Sequence, residues 1–371
     1  MTNDELLSRY LLSRQLWWQH TLAQLDAQAV ADIIKTLEAV KRDIRKRLAD
    51  DAEGLAQVTD WTRERMQQVE TWTDEVLASA RGTLLTTISE ATITAATVSL
   101  AAHNAILSLD GAATGVQTVG LTREQIVSWF DDTALGAGGL QKWVDTALDN
   151  GVKSSILQAL RQAGVEGEGT AEAVRRVMSA ALDAGFAITS RAAVTITRTF
   201  IQTANVRAQE ATYKANEKLL RGYKRVETLD NRTCIQCALA DGAEYAVGEE
   251  RPRLPSHARC RGMYTPLVKS WKDLGISGPA LEEAARPWVM REPGPIGTGG
   301  RKILYAGTTK ASFEGWWKSL SAEEKAMTPL GPVRTKLLES GAVKWDDLWD
   351  KRTGLPLTLE QVGFDLMGRP L

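Results

Sequence analysis

Cys234-Ile-Gln-Cys237, followed after nineteen intervening residues by His257-Ala-Arg-Cys260, holds all three cysteines of the 371-residue chain and one of its three histidines. Zinc takes four nitrogen or sulfur ligands in a tetrahedron, and ligands two residues apart let one tight turn supply two corners. Two such pairs close the shell, so Cys234, Cys237, His257 and Cys260 are the candidate ligands of a structural zinc ion. Two blander readings stand beside this one: three small buried thiols, or one disulfide with a spare cysteine. An odd count clustered in one window, behind a Met-Thr-Asn-Asp-Glu start without a basic and apolar leader, argues against a secreted disulfide framework. Four protein ligands leave no position for water or substrate. The deaminase order of ligands is reversed here, and Ala258-Arg259 puts no glutamate after the histidine.

The residues around the ligands read as a small β-rich unit. Tyr223 to Leu229 alternates as a strand, Asp230-Asn231 turns the chain into the first ligand pair, and Asp241-Gly242 marks a second turn. A short strand at Glu244-Tyr-Ala-Val and a closing strand over Met263 to Val268 follow, with Pro252 and Pro255 stiffening the approach to His257. Such a unit is too small to be held by apolar burial alone. Metal ligation supplies roughly 10–16 kcal/mol of apparent folding energy to units of this kind. Arg232, Arg259 and Arg261 flank the ligands. Three thiolates on Zn²⁺ leave a net charge of −1, which these guanidiniums would relieve; they would equally suit a phosphate.

Upstream, residues 3–220 read as helix almost throughout. Leu25, Ala29, Ile33, Leu37, Val40, Ile44 and Leu48 recur in steps of three and four, one helical stripe, and Lys41, Arg42, Arg45, Lys46 and Arg47 load its expected C-terminal end. Val58, Trp61, Val69, Trp72 and Val76 mark a second helical stretch. Leu84 to Leu109 carries Glu90 as its only charged residue, but its Thr, Ser and Asn content suits a buried helix rather than a membrane span, and no membrane anchor is expected. Gly111, Gly115, Gly136-Ala-Gly138-Gly139 and the Gly164–Gly169 stretch are breaks, and Thr122-Arg-Glu-Gln is a helix start.

From Arg191 to Arg225 the chain carries eight Lys or Arg and two acids. Continued as a helix, Arg207, Lys214, Lys218, Arg221 and Arg225 fall within an arc of about 60°. This stripe suits a DNA phosphate backbone or, with Glu210→Lys214 and Glu217→Arg221 as i,i+4 pairs, a solvated face. Beyond the cysteines, Pro293–Gly300 reads as a linker without a completed phosphate motif. The final stretch carries Trp316, Trp317, Trp345 and Trp349, aromatics dense enough to require docking onto a partner or onto the chain itself.

Net charge of −1, 43% hydrophobic and 25% charged residues describe an ordinary soluble chain, with no overall field to select a partner. The expected fold is mainly α: long N-terminal helices, a small α+β zinc-knuckle-like module and a short helical tail. The expected divisions are 1–120, 121–222, 223–270, a linker over 271–300, and 301–371.

The run Val226-Glu-Thr-Leu-Asp-Asn-Arg-Thr-Cys-Ile-Gln-Cys-Ala-Leu-Ala-Asp-Gly242, with Pro255-Ser-His-Ala-Arg-Cys-Arg261, resembles the C-terminal signature of phage Mu F-like minor head proteins, also called phage head morphogenesis proteins. That signature has a strand, Asp-x-Arg-Thr-Cys-x-x-Cys, an Asp-Gly turn and Pro-x-His-x-x-Cys-Arg. The preceding helix (Thr197-Arg-Thr199, Ala204-Asn-Val-Arg207, Tyr213) and the tail (Phe313-Glu-Gly-Trp, Leu330-Gly-Pro-Val-Arg334, Gly354-Leu-Pro-Leu-Thr-Leu359) are also similar, so the resemblance covers roughly residues 165–360. Ala258 and Gly262 depart from it, standing where the family usually has proline and often a further cysteine.

The resemblance implies a minor capsid protein of a tailed phage. It would associate with the portal and with major capsid or scaffolding proteins, enter the virion from the host cytoplasm, and assist head assembly, DNA packaging or ejection. It implies no catalytic residues. A zinc-containing DNA-binding protein is the alternative. A metal-dependent hydrolase built on Asp230, Asp241, Glu244 and His257 is the weaker third reading, because one histidine cannot be both a structural ligand and a general base.

Overall fold

Apolar residues spaced by three and four give a helix one face to bury, and that pattern builds the first half of the molecule. The structure, a computed structural model, describes residues 3–55, 63–110, 119–128, 139–166, 168, 170–269, 285–292 and 303–371. Val58, Trp61, Gly111, Gly115, Gly136, Gly138, Gly167, Gly169 and the 293–300 stretch lie outside these residues.

Helices α1 (Asn3–Leu55), α2 (Arg63–Asp110), α3 (Arg123–Val127), α4 (Gly139–Leu148), α5 (Ser154–Val165), α6 (Thr170–Arg176) and α7 (Leu182–Ala215) precede the first strand. The chain divides into two compact units. One comprises Gln19–Ser99 and Leu121–Asn205; the other comprises Met1–Trp18, Leu100–Gly120 and Val206–Leu371.

The first unit is helical. Ile33, Leu37, Ile44 and Leu48 of the α1 stripe pack with Leu77, Leu84, Ile88, Leu148, Ile156, Phe186 and Phe200, and Ala29 packs with Ala95, Ala96 and Ile201. Full burial of such side chains contributes about 1.5–3 kcal/mol each. The cations from Lys41 to Arg47 do not cap α1, which continues to Leu55; Lys41 and Arg45 instead pair with Asp183. Close approach of α7 rests on Gly151, where a Cβ would lie 2.0 Å from Thr189 Oγ1. Thr122 caps α3: its hydroxyl accepts from Gln125 N (3.3 Å), and the Gln125 carboxamide accepts from Thr122 N (2.8 Å). Residues Glu70–Ala105 of α2 are long and apolar enough to cross a membrane by length and composition, yet 44% of their 18-residue apolar window is buried within the protein.

The second unit holds the strands. In chain order these elements are β1 (Leu220–Val226), β2 (Leu229–Asp230), α8 (Ile235–Ala240), β3 (Glu244–Ala246), β4 (Met263–Val268), β5 (Arg286–Arg291) and β6 (Ile303–Thr309). Then come α9 (Phe313–Lys318), α10 (Ala322–Ala326), α11 (Gly331–Glu339), β7 (Trp349–Asp350) and β8 (Leu355–Pro356). β1 lies between β3 and β4, antiparallel to both; β2 pairs parallel with β5, and β5 pairs antiparallel with β6. The β4 bounds coincide with those read from the sequence.

Three expectations are corrected. The helix carried through Arg225 by the basic arc ends at Ala215, where Asn216 Nδ2 donates back to Thr212 O (2.9 Å) and a short 3₁₀ turn leads into β1. The 271–300 stretch expected as linker contains β5, a strand of the second sheet. The cysteine-bearing module and the tail, expected as separate divisions, share one core: Leu229, Leu239, Ala240 and Met290 pack with Phe313, Trp316, Trp317, Trp345 and Trp349. The tryptophans thus dock onto their own chain, and Trp345 Nε1 donates to Leu239 O (3.1 Å).

Candidate metal centre

The first ligand pair sits at a helix start. Cys234 is the N-cap of α8, and its Sγ accepts from Cys237 N at 3.4 Å, so one helical turn brings both sulfurs to the same end. Asp230 sets up that turn. Its carboxylate accepts from Arg232 N (3.0 Å) and Thr233 Oγ1 (3.0 Å) and receives Arg261 in a two-pronged bridge at 2.7 and 2.8 Å. Burial pushes the Asp230 carboxyl up, but Arg261 outweighs it and holds it below the ordinary range.

The second pair sits in a turn after the cis Leu254–Pro255 bond. Arg259 adopts a left-handed conformation (φ 61°), and Cys260 N donates to His257 O (3.1 Å). His257 Nδ1 lies 2.8 Å from Ala258 O. A carbonyl only accepts, so Nδ1 carries a proton, and loss of the other proton to a bound cation leaves Nε2 as the ligand atom.

These pieces converge. His257 Nε2 is 3.1 Å from Cys234 Sγ and 3.3 Å from Cys237 Sγ, and Cys237 Sγ is 3.9 Å from Cys260 Sγ. A tetrahedron with metal–sulfur bonds of about 2.3 Å has sulfur–sulfur edges of about 3.8 Å. The four expected ligands therefore cluster at a spacing that could hold a metal ion. Cys237 and Cys260 are buried while Cys234 and His257 are half-buried, which leaves the cluster one open side.

The electrostatics match a site built for charge. Cys237 lies within hydrogen-bond reach of Cys234 and Cys260; sharing its proton with them draws Cys234 down to about 4 and Cys260 to about 5 and pushes Cys237 up. The hydrogen bond to Cys234 raises His257 to about 9. A cation seated among these groups would displace their protons and take over the same stabilising role.

A second layer lies beneath the sulfurs. Arg225 and Glu227 are 0% and 4% exposed, and Arg225 Nε donates to Glu227 Oε1 at 2.8 Å. A Glu227 oxygen, Cys237 Sγ and Cys260 Sγ all lie within 4.8 Å of one another. Burial pushes Glu227 up to about 8, even beside Arg225. Burial opposes the Arg225 charge, but Glu227 and Cys237 outweigh it and the net shift is upward. Neither residue was expected at the metal centre. The signal was present in the alternation over 223–229: Tyr223, Arg225, Glu227 and Leu229 are all buried, although β1 ends at Val226 and Leu229 belongs to β2.

The expected DNA-contact residues do not form one stripe. Arg207 on α7 pairs with Glu210 (2.9 Å), Lys214 is exposed in the last turn of α7, and Lys218 is exposed in the 3₁₀ turn. Arg221 and Arg225 are on β1, where Arg221 is exposed near Glu244 (3.7 Å) and Arg225 is buried. The arc assumed a helix through 225, and a strand has a period of two rather than 3.6.

The hydrolase candidates also part company. Asp230 serves Arg261, while Glu244 is exposed on β3. Asp241 accepts from Glu227 N (2.7 Å) and Phe313 N (2.6 Å) and forms a two-pronged bridge with Arg286. Family models, curated proteins and solved structures contain no match to the chain.

Proposed function

We propose that this protein is a minor head component of a tailed phage, whose C-terminal module is fixed by a structural zinc ion on Cys234, Cys237, His257 and Cys260. One observation carries the reading. The residues of the family-like signature meet in one place, and those that are not ligands serve as braces. Asp230, Thr233 and Arg261 hold the first ligand turn, and Asp241 ties that module to β5 and α9. Four clustered soft and borderline ligands suit zinc, and a shell filled by protein stabilises structure rather than activating water. The protein would then act by contact, with portal, capsid or scaffolding proteins as partners, in head assembly, DNA packaging or ejection.

Two measurements test this. Metal analysis of freshly purified, reduced protein should give one zinc per chain, lost in Cys237→Ser; absence of zinc from the wild type removes the metal assignment. Co-sedimentation with purified portal or capsid protein tests the assembly role, and consistent absence from procapsids and virions would sink it.

A further inference from the structure

Arg225 has a burial and a set of neighbours that a strand residue does not need for folding alone. Its guanidinium lies inside the module, with Nε on Glu227 (2.8 Å) and Nη2 between Cys237 Sγ (3.7 Å) and Ser256 Oγ (3.4 Å). Buried Nη1 finds no hydrogen-bond partner among the described residues. Space for the carboxylate that holds it comes from Gly262, where a Cβ would lie 2.2 Å from Glu227 Oε1. Taking an arginine out of water costs several kcal/mol unless paired charge compensates. Glu227 holds the guanidinium at Nε, and Nη2 faces a sulfur that a bound cation would convert to thiolate, a second negative partner for the buried charge.

We propose that Arg225 is the positioning residue of the metal centre: held by Glu227, it donates a charge-assisted N–H to the Cys237 thiolate and offsets the net negative charge of a three-thiolate, one-imidazole site. The proposal rests on the zinc reading above. Guanidinium geometry matters here. Its planar fork reaches Glu227 with one nitrogen and Cys237 and Ser256 with another, which a lysine ammonium cannot do at once. Outer partners of metal ligands orient them and tune their basicity, and their loss typically weakens metal binding about 10–100-fold.

Full-length protein loaded with Co²⁺ in place of zinc provides the test, because thiolate-to-cobalt charge-transfer bands report the sulfur directly. A hydrogen bond to sulfur lowers its lone-pair energy. Arg225→Met should therefore move the band to lower energy and weaken Co²⁺ binding about 10–100-fold in chelator competition. Arg225→Lys, which keeps the charge but loses the fork, should move both in the same direction by less. If Arg225→Met does not fold, Arg225→Lys alone decides. Wild-type affinity and an unmoved band in the folded variants would overturn the role of Arg225 while leaving the metal centre intact. A wild type without thiolate bands would instead overturn the centre itself.

Discussion

The helical unit and the strand-bearing unit are held together in different ways. In the helical unit, stability is spread along stripes whose members are neighbours in sequence: Ile33, Leu37, Ile44 and Leu48 on α1, Leu77, Leu84 and Ile88 on α2. In the strand-bearing unit it is gathered at a few nodes that join distant residues. Asp241 binds groups from residues 227, 286 and 313, Trp345 reaches Leu239, and the four candidate ligands span 234 to 260. Distributed burial fails gradually and a node fails at once, so the two units should respond differently to comparable damage.

Metal removal is the sharpest way to separate them. Ligation contributes about 10–16 kcal/mol in small zinc units, more than typical domain stability. Chelation should therefore abolish hydrogen-exchange protection of β1, β3 and β4 while α4, α5 and the 182–205 part of α7 keep theirs. Equal loss in both units, or none in either, would erase the contrast.

Truncation of a core residue comes next. Trp316 is almost fully buried against Phe313 (ring centroids 4.9 Å apart) and Trp288 (5.9 Å). Trp316→Ala should cost about 3–5 kcal/mol. Ile33→Ala, the comparable truncation in the helical unit, should cost less, about 2 kcal/mol, because the loss is shared along a continuous stripe. Denaturant melts with tryptophan fluorescence and far-ultraviolet circular dichroism measure both, and the comparison weakens if the two costs are alike.

Asp241→Asn tests a node without opening a cavity. The amide keeps the shape but leaves Arg286 without its counter-charge and offers a donor where Phe313 N needs an acceptor. Breaking a buried pair on one side costs about 3–5 kcal/mol, and the partial exposure of Arg286 puts this case at the lower end, about 3 kcal/mol. A loss below about 1 kcal/mol, the value of an exposed ion pair, would show that Asp241 is no node.

The same contrast explains what the sequence disclosed. Helix phase was legible because it is local: Ala29, Ile33, Leu37, Ile44 and Leu48 of the α1 stripe are buried, and Leu25 and Val40 are half-buried. The ligand set was legible because rare residues at fixed spacing leave few alternatives. Arg225 was misplaced because a period of 3.6 was carried past Ala215, where Asn216 ends the helix. Strand β5 was read as linker because Arg286-Pro-Trp-Val-Met-Arg291 shows no clean alternation, and one of its two partners, β2, is only two residues long and far away in sequence. Pairings of that kind leave no periodic mark.

The smallest expected effect lies at Thr122, where sequence and structure agree completely. Its side chain and that of Gln125 satisfy each other's backbone N–H groups at the start of α3, a capping box of purely local origin. Thr122→Ala should cost about 1 kcal/mol, and Thr122→Ser much less, because serine restores the accepting oxygen. α3 buries only Ile126, so no long-range node amplifies the loss, and metal content should not change. A cost near 3 kcal/mol, or any loss of metal, would show that the helical unit also concentrates stability at single residues, and the distinction between the two units would fail from its weakest side.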